Sequence, residues 1–156
     1  MLQPIAAAAQ ASAIDPAQYE RVVTGLKAMQ EIGADIGQWA LLAFGGTLAV
    51  MLSTSYRKPT FPWRLIYIAL LPGLLCLGRA IQQDAYIRRT YGAMLLRPPS
   101  RQVAVDALSG ANAALSQQIF AFEAGIAILG LWLIVYAVWW MFVDRSDSKE
   151  KADVPE

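Results

Sequence analysis

The sequence predicts an all-α membrane protein in which three transmembrane helices extend on one side into an aqueous three-helix stalk. Three observations predict it. Residues 120–143 carry a single ionisable group, Glu123, in a run of about 24 residues, enough to cross the ~30 Å hydrocarbon core as one helix. Two further apolar runs, residues 36–56 and 63–81, flank a short basic turn. Each of the three runs continues, on its side away from that turn, into a polar segment that keeps a helical apolar period. Composition agrees: the 156 residues are 56% hydrophobic and 16% charged, against roughly 25% charged in a soluble domain.

In chain order, residues 1–14 form a disordered or signal-like terminus. Small residues lead to Ala11-Ser12-Ala13, but the charged region and strong apolar core of a secretory signal are missing. Asp15 then Pro16 is a helix start, an N-cap followed by proline at the first helical position. Tyr19, Val22, Val23, Leu26, Met29, Ile32 and Ile36 recur every three to four residues, with Glu20, Arg21, Lys27, Gln30 and Glu31 between them. No breaker separates this amphipathic stretch from the first span, 36–56. Gly33 with Gly37 makes a GxxxG, and Gly45 and Gly46 continue a small-residue face. Such residues let helix backbones approach closely in lipid, within the chain or between copies.

The turn Arg57-Lys58-Pro59-Thr60-Phe61-Pro62 closes the first helix and opens the second. Its length makes spans one and two antiparallel neighbours. Pro72-Gly73 lies near the middle of the span at 63–81 and predicts a packing kink there. Helical character runs on through Ile81, Ala85, Ile87, Tyr91, Met94 and Leu95, with Asp84 and Arg88 in the favourable i,i+4 order. Arg97-Pro98-Pro99 ends this helix and Ser100 caps the next. Val103, Ala107, Leu108, Ala111, Leu115, Ile119 and Phe122 then form a stripe close to a heptad seam. The membrane bundle thus occupies residues 15–143, and the polar tail, 144–156, is expected to be disordered.

The polar extensions are about 20, 15 and 20 residues long, roughly 30, 22 and 30 Å at helical rise. All lie opposite the basic turn, so their stripes are expected to pair in one bundle. Positive charges near the turn and tail (Arg57, Lys58, Arg64, Arg145, Lys149, Lys151) nearly match those opposite (Arg21, Lys27, Arg79, Arg88, Arg89, Arg97, Arg101). Weighting the short turn places it and the C-terminus in the cytoplasm, with the N-terminus and stalk periplasmic, in a bacterial inner membrane.

Asp35, Arg79 and Glu123 fall at nearly one depth, roughly 24–32 Å from the opposite span ends, where they are expected to form a polar cluster at the outer membrane edge. Trp63, Trp139 and Trp140 are expected to form an aromatic belt at the turn side. With no His and one Cys, Cys76, the chain lacks a Cys/His metal set, an internal disulfide and a His-based acid–base system. No catalytic, cofactor-binding or metal-ligating residue is assigned, and the net charge of +1 gives no basic field for nucleic acid.

Membrane lipid and another membrane subunit or a second copy are the expected partners. These features predict a non-enzymatic accessory or scaffold subunit of an inner-membrane complex. The alternative is a homo-oligomeric pore former. Three spans with an outside N-terminus and a charged inside tail resemble one class of phage holins in topology, without a diagnostic motif; the stalk departs from that class.

Overall fold

Every seventh residue along the third helix, from Ala104 through Ala111, Gln118, Gly125 and Trp132 to Trp139, is buried. A repeat of seven held over this length keeps one seam facing its partners by winding slowly left-handed about them. The computed structural model describes residues 15–52, 68–96 and 100–152, without the side chains of Leu52, Trp140 and residues 142–152. These fold into three helices: α1 (Pro16–Leu52), α2 (Leu70–Leu96) and α3 (Arg101–Ala152). No strand element occurs among the described residues.

The other two helices follow the same period. On α1, Leu26, Gly33 and Ala40 are buried. On α2, Leu70, Leu77 and Asp84 form one buried row and Gly73, Ala80, Ile87 and Met94 another. Contacts fix the arrangement as up-down-up. Leu26, Met94 and Ala111 share one apolar cluster, joined by Val22, Met29 and Tyr91. Further along, Ala40, Leu77, Ala80 and Ala121 share a second, joined by Phe44, Ile81 and Leu129. The chain therefore rises in α1 and α3 and descends in α2. The second cluster is rich in alanine, with Ala40, Ala80 and Ala121 buried in it, which lets three helix backbones sit close together.

The helix starts read from the sequence are present. The Asp15 carbonyl accepts from the Tyr19 amide at 2.8 Å and its carboxylate accepts from the Ala17 amide at 3.4 Å. The Ser100 carbonyl accepts from the Ala104 amide at 3.0 Å. Tyr19 also donates its hydroxyl to the Met94 carbonyl at 2.8 Å. That carbonyl lies in the last turn of α2, where no intrahelical donor remains, so the start of α1 is tied to the end of α2.

Two expectations are corrected by this geometry. The tail is not disordered from residue 144: α3 continues to Ala152. Nothing in the sequence stops it, because neither Gly nor Pro occurs from Leu131 to Val154. The stripe on α3 is also displaced, with Ala104 buried while Val103 and Ile119 are exposed. Close backbone packing selects the small residue over the more hydrophobic one. Pro72 falls in the first turn of α2, after a turn residue at Ala69. A proline there has no amide to donate to the Ile68 carbonyl, which interrupts the helix at that point.

Two stretches, Pro16–Met51 and Arg101–Trp139, are long and apolar enough to cross a membrane. Only 11% and 17% of their apolar windows are buried inside the structure. Trp39, Leu42, Leu75, Phe120, Leu131 and Ile134 all point outward. The expected span at 63–81 lies partly outside the described residues, as do residues 1–14, the basic turn, and residues 153–156.

Candidate functional site

Between the two apolar clusters lies a layer of polar side chains, and it is built around two glycines. Gly33 and Gly37 are four apart, so they open one notch on the face of α1. Asp84 of α2 fills it. A Cβ built on Gly37 would stand 2.8 Å from Asp84 Oδ2 and 3.0 Å from its Cγ. Gln118 of α3 enters the same notch from the other side. Its Nε2 donates to the Gly33 carbonyl at 2.7 Å, and its Oε1 lies 3.0 Å from where a Gly33 Cβ would sit. Three helices thus meet at one level through a carboxylate, an amide and a gap the size of two side chains.

The charge in this layer is compensated locally. Asp84 is 8% exposed, and Arg88, one turn on, brings its Nε to 3.0 and 2.9 Å from the two carboxylate oxygens. The hydrogen bond to Asp84, and its charge, raise the Arg88 guanidinium above the ordinary arginine value. Arg88 reaches outward from the layer with a side chain 51% exposed, so the pair runs from the interior to solvent. Gln118 Oε1 has no hydrogen-bond partner, leaving its amide half satisfied. Buried polar groups at seam positions fix helix register, since any slip strips them of their partners.

A second polar group sits on the outer side of α2 and α3. Arg79 donates from Nη1 to Gln82 Oε1 at 2.8 Å and from Nη2 to Gln117 Oε1 at 3.4 Å. Turning the Gln83 amide so that its oxygen faces Arg79 places that oxygen 3.0 Å from Nη2 and 3.3 Å from Nε.

Asp35, Arg79 and Glu123 do not come together. Asp35 and Glu123 are exposed, and among the described residues neither pairs with Arg79, whose partners are amides. Helical phase explains it. Asp35 lies between the seam residues Gly33 and Gly37, and Glu123 between Ala121 and Gly125, so each points about 200° away from the seam. Asp84 is the acid that enters the bundle. Its position seven residues after Leu77 was the available signal, overshadowed by its i,i+4 relation to Arg88.

The packing glycines divide. Gly33, Gly37 and Gly125 sit at close crossings, and a Cβ on Gly125 would meet Leu77 at 2.9 Å and the Gly73 carbonyl at 3.3 Å. Gly73, expected at a kink, is the other half of that crossing. Gly45 and Gly46 have nothing within 4 Å of a built Cβ, so they are open surface in the single chain. Trp139 is buried on the α3 seam rather than facing outward, with Tyr136 5.5 Å from it and 5.4 Å from Trp132 between ring centres. Trp63 and the side chain of Trp140 lie outside the described residues.

Beside the open glycines, Leu42, Ala43, Gly46, Thr47 and Val50 of α1 face Leu129, Trp132, Leu133 and Tyr136 of α3 across a cavity of about 330 Å³. Thr47 turns its hydroxyl back to the Ala43 carbonyl at 2.7 Å, which keeps the cavity apolar. Among the described residues no group of His, Cys, Asp and Glu is placed to hold a metal ion. No family model matches the chain, and no curated protein or solved structure matches it.

Proposed function

We propose that the chain is a non-enzymatic accessory or scaffold subunit of a bacterial inner-membrane complex. In this reading three helices cross the lipid, and their polar halves stand together as a stalk on the periplasmic side, with the C-terminus cytoplasmic. The observation that carries it is the outward face of the two apolar windows, 11% and 17% buried. A core helix of a soluble protein would bury most of such a window, so this surface calls for lipid or a neighbouring subunit. The apolar cavity beside Gly46 is of a size to receive side chains from an adjoining helix.

Two measurements test the reading. Single cysteines at Lys27, Thr60 and Ser109 in a Cys76→Ala background report the topology. An impermeant thiol reagent added outside should label the first and third but not the second. Photo-cross-linkers at Leu42 and Leu133 in native membranes should give one adduct of defined mass at fixed stoichiometry. A strictly monomeric chain with no adduct at either position would refute the scaffold reading. The homo-oligomeric pore former has one observation in its favour, the outward polar group of Arg79, Gln82 and Gln117. It predicts dye release from vesicles holding the purified chain, and intact vesicles would exclude it.

A further inference from the structure

We infer that the groove between α2 and α3 at Arg79 is a binding site for an anionic phospholipid. Two layers make it. Leu75, Cys76, Phe120 and Ala121 line one end, and Arg79, Ser116 and Gln117 the other, around a volume of about 640 Å³. Because α2 and α3 run in opposite directions, the step from Leu75 to Arg79 and the step from Phe120 back to Ser116 run the same way along the bundle. Both helices therefore change from apolar to polar at one height, as a lipid does between acyl chain and headgroup. Leu75 and Phe120 are 73% and 74% exposed, offering two apolar walls to a chain lying along the groove.

Charge chooses the headgroup. Among the described residues the partners of Arg79 are neutral amides, Gln82 and Gln117 at 2.8 and 3.4 Å, so its position is held while its charge is left uncompensated. Glu123 does not line the groove. The phosphate of an anionic lipid, with no headgroup cation such as choline to offset it, supplies the missing charge and matches the planar guanidinium. The Ser116 hydroxyl and the Gln117 amide add polar groups at the same level. An apolar partner helix would cover Leu75 and Phe120 but leave the guanidinium in a drier place without an anion, which is costly.

The inference rests on the membrane-embedded reading. Native mass spectrometry of the full chain in neutral detergent, titrated with phosphatidylglycerol, phosphatidylcholine or free glycerol phosphate, tests it. One arginine at a lipid surface is worth about 1 kcal/mol, so phosphatidylglycerol should be retained about five-fold over phosphatidylcholine. Arg79→Gln should abolish the preference and Arg89→Gln should keep it. Ser116→Asp, which adds a carboxylate beside Arg79 without removing it, should abolish the preference as well and covers the case in which Arg79→Gln does not fold. Equal retention of the two lipids, loss of preference in Arg89→Gln, or binding of glycerol phosphate as tight as that of the lipid would each overturn the site. A detergent-requiring chain without lipid preference refutes this inference alone; a chain recovered in the soluble fraction refutes the membrane reading too.

Discussion

Replacing Gly37 with Ala asks whether Asp84 is what sets the α1–α2 distance. The added methyl would stand 2.8 Å from Oδ2, 3.0 Å from Cγ and 3.2 Å from Cβ of Asp84. Rotating the carboxylate away does not relieve all of this, because Cβ belongs to the stem and the oxygens are held by Arg88 at 2.9 and 3.0 Å. Overpacking of this kind costs about 1–3 kcal/mol. Alanine returns about 1 kcal/mol of helix preference over glycine. The net loss is therefore about 0–2 kcal/mol, too small to be decisive alone. The second substitution supplies the decision. Asp84→Ala removes the oxygens and Cγ, leaving only the 3.2 Å approach, so Gly37→Ala in that background should be neutral or stabilising by up to about 1 kcal/mol. The two changes should couple by about 1–3 kcal/mol. The assay is reversible unfolding in mixed micelles on raising the dodecyl sulfate fraction, with helicity followed by circular dichroism. If Gly37→Ala costs the same with and without Asp84, the notch does not hold the carboxylate and the register argument fails.

Other substitutions probe the remaining contacts. Gly125→Ala drives a methyl against Leu77 at 2.9 Å, whereas Gly130 and Gly45 have open space. With the same helix-preference gain set against overpacking, the first should lose about 0–2 kcal/mol and the other two gain up to about 1, measured by the same titration; an equal effect at all three would contradict the crossing. Gln118→Met removes the 2.7 Å bond to Gly33 together with an unpartnered oxygen. These effects oppose each other at about 1 and 1–3 kcal/mol, so stability should hold or rise, and a loss above about 2 kcal/mol would show that the amide is worth more than assigned. Arg88→Gln leaves Asp84 in the layer without its cation. Since Arg88 is half exposed, about 1–2 kcal/mol should be lost. Its folded-state value is raised, so its contribution is full below the ordinary arginine value and disappears only as pH climbs past the folded one. The cost should accordingly be equal at pH 7 and pH 9, and one that vanishes between them would contradict the pairing.

Three helices, their directions and two of their starts were legible because proline, an Asp N-cap and runs of apolar residues are strong local signals. The phase of the seam was not. Hydrophobicity favours Val103 over Ala104, yet Val103 faces outward while Ala104 is buried. Where backbones approach closely, as at Ala104, the inward position goes to a small residue, and a hydrophobicity count hides it. The polar layer was missed for a related reason. Depth alone selected Asp35 and Glu123, but depth fixes a residue's height and not the direction it faces. Only the seven-residue spacing from Leu70 through Leu77 marks Asp84 as inward, and it needs α1 and α3 beside it to be decisive. The GxxxG marks a face of α1 without side chains, and what fills it, a carboxylate rather than another backbone, became visible in three dimensions.

The division of the core into two apolar clusters by a polar, charged level has a consequence for how the protein comes apart. In the proposed setting the cluster at Leu26, Met94 and Ala111 answers to urea and temperature, and the one at Ala40, Leu77 and Ala121 answers to the detergent around it. No single agent loads both, so melting need not be all-or-none. Asp84 and Gln118 stand where the two halves would part company, and a break there would leave a stump still anchored and able to rewind.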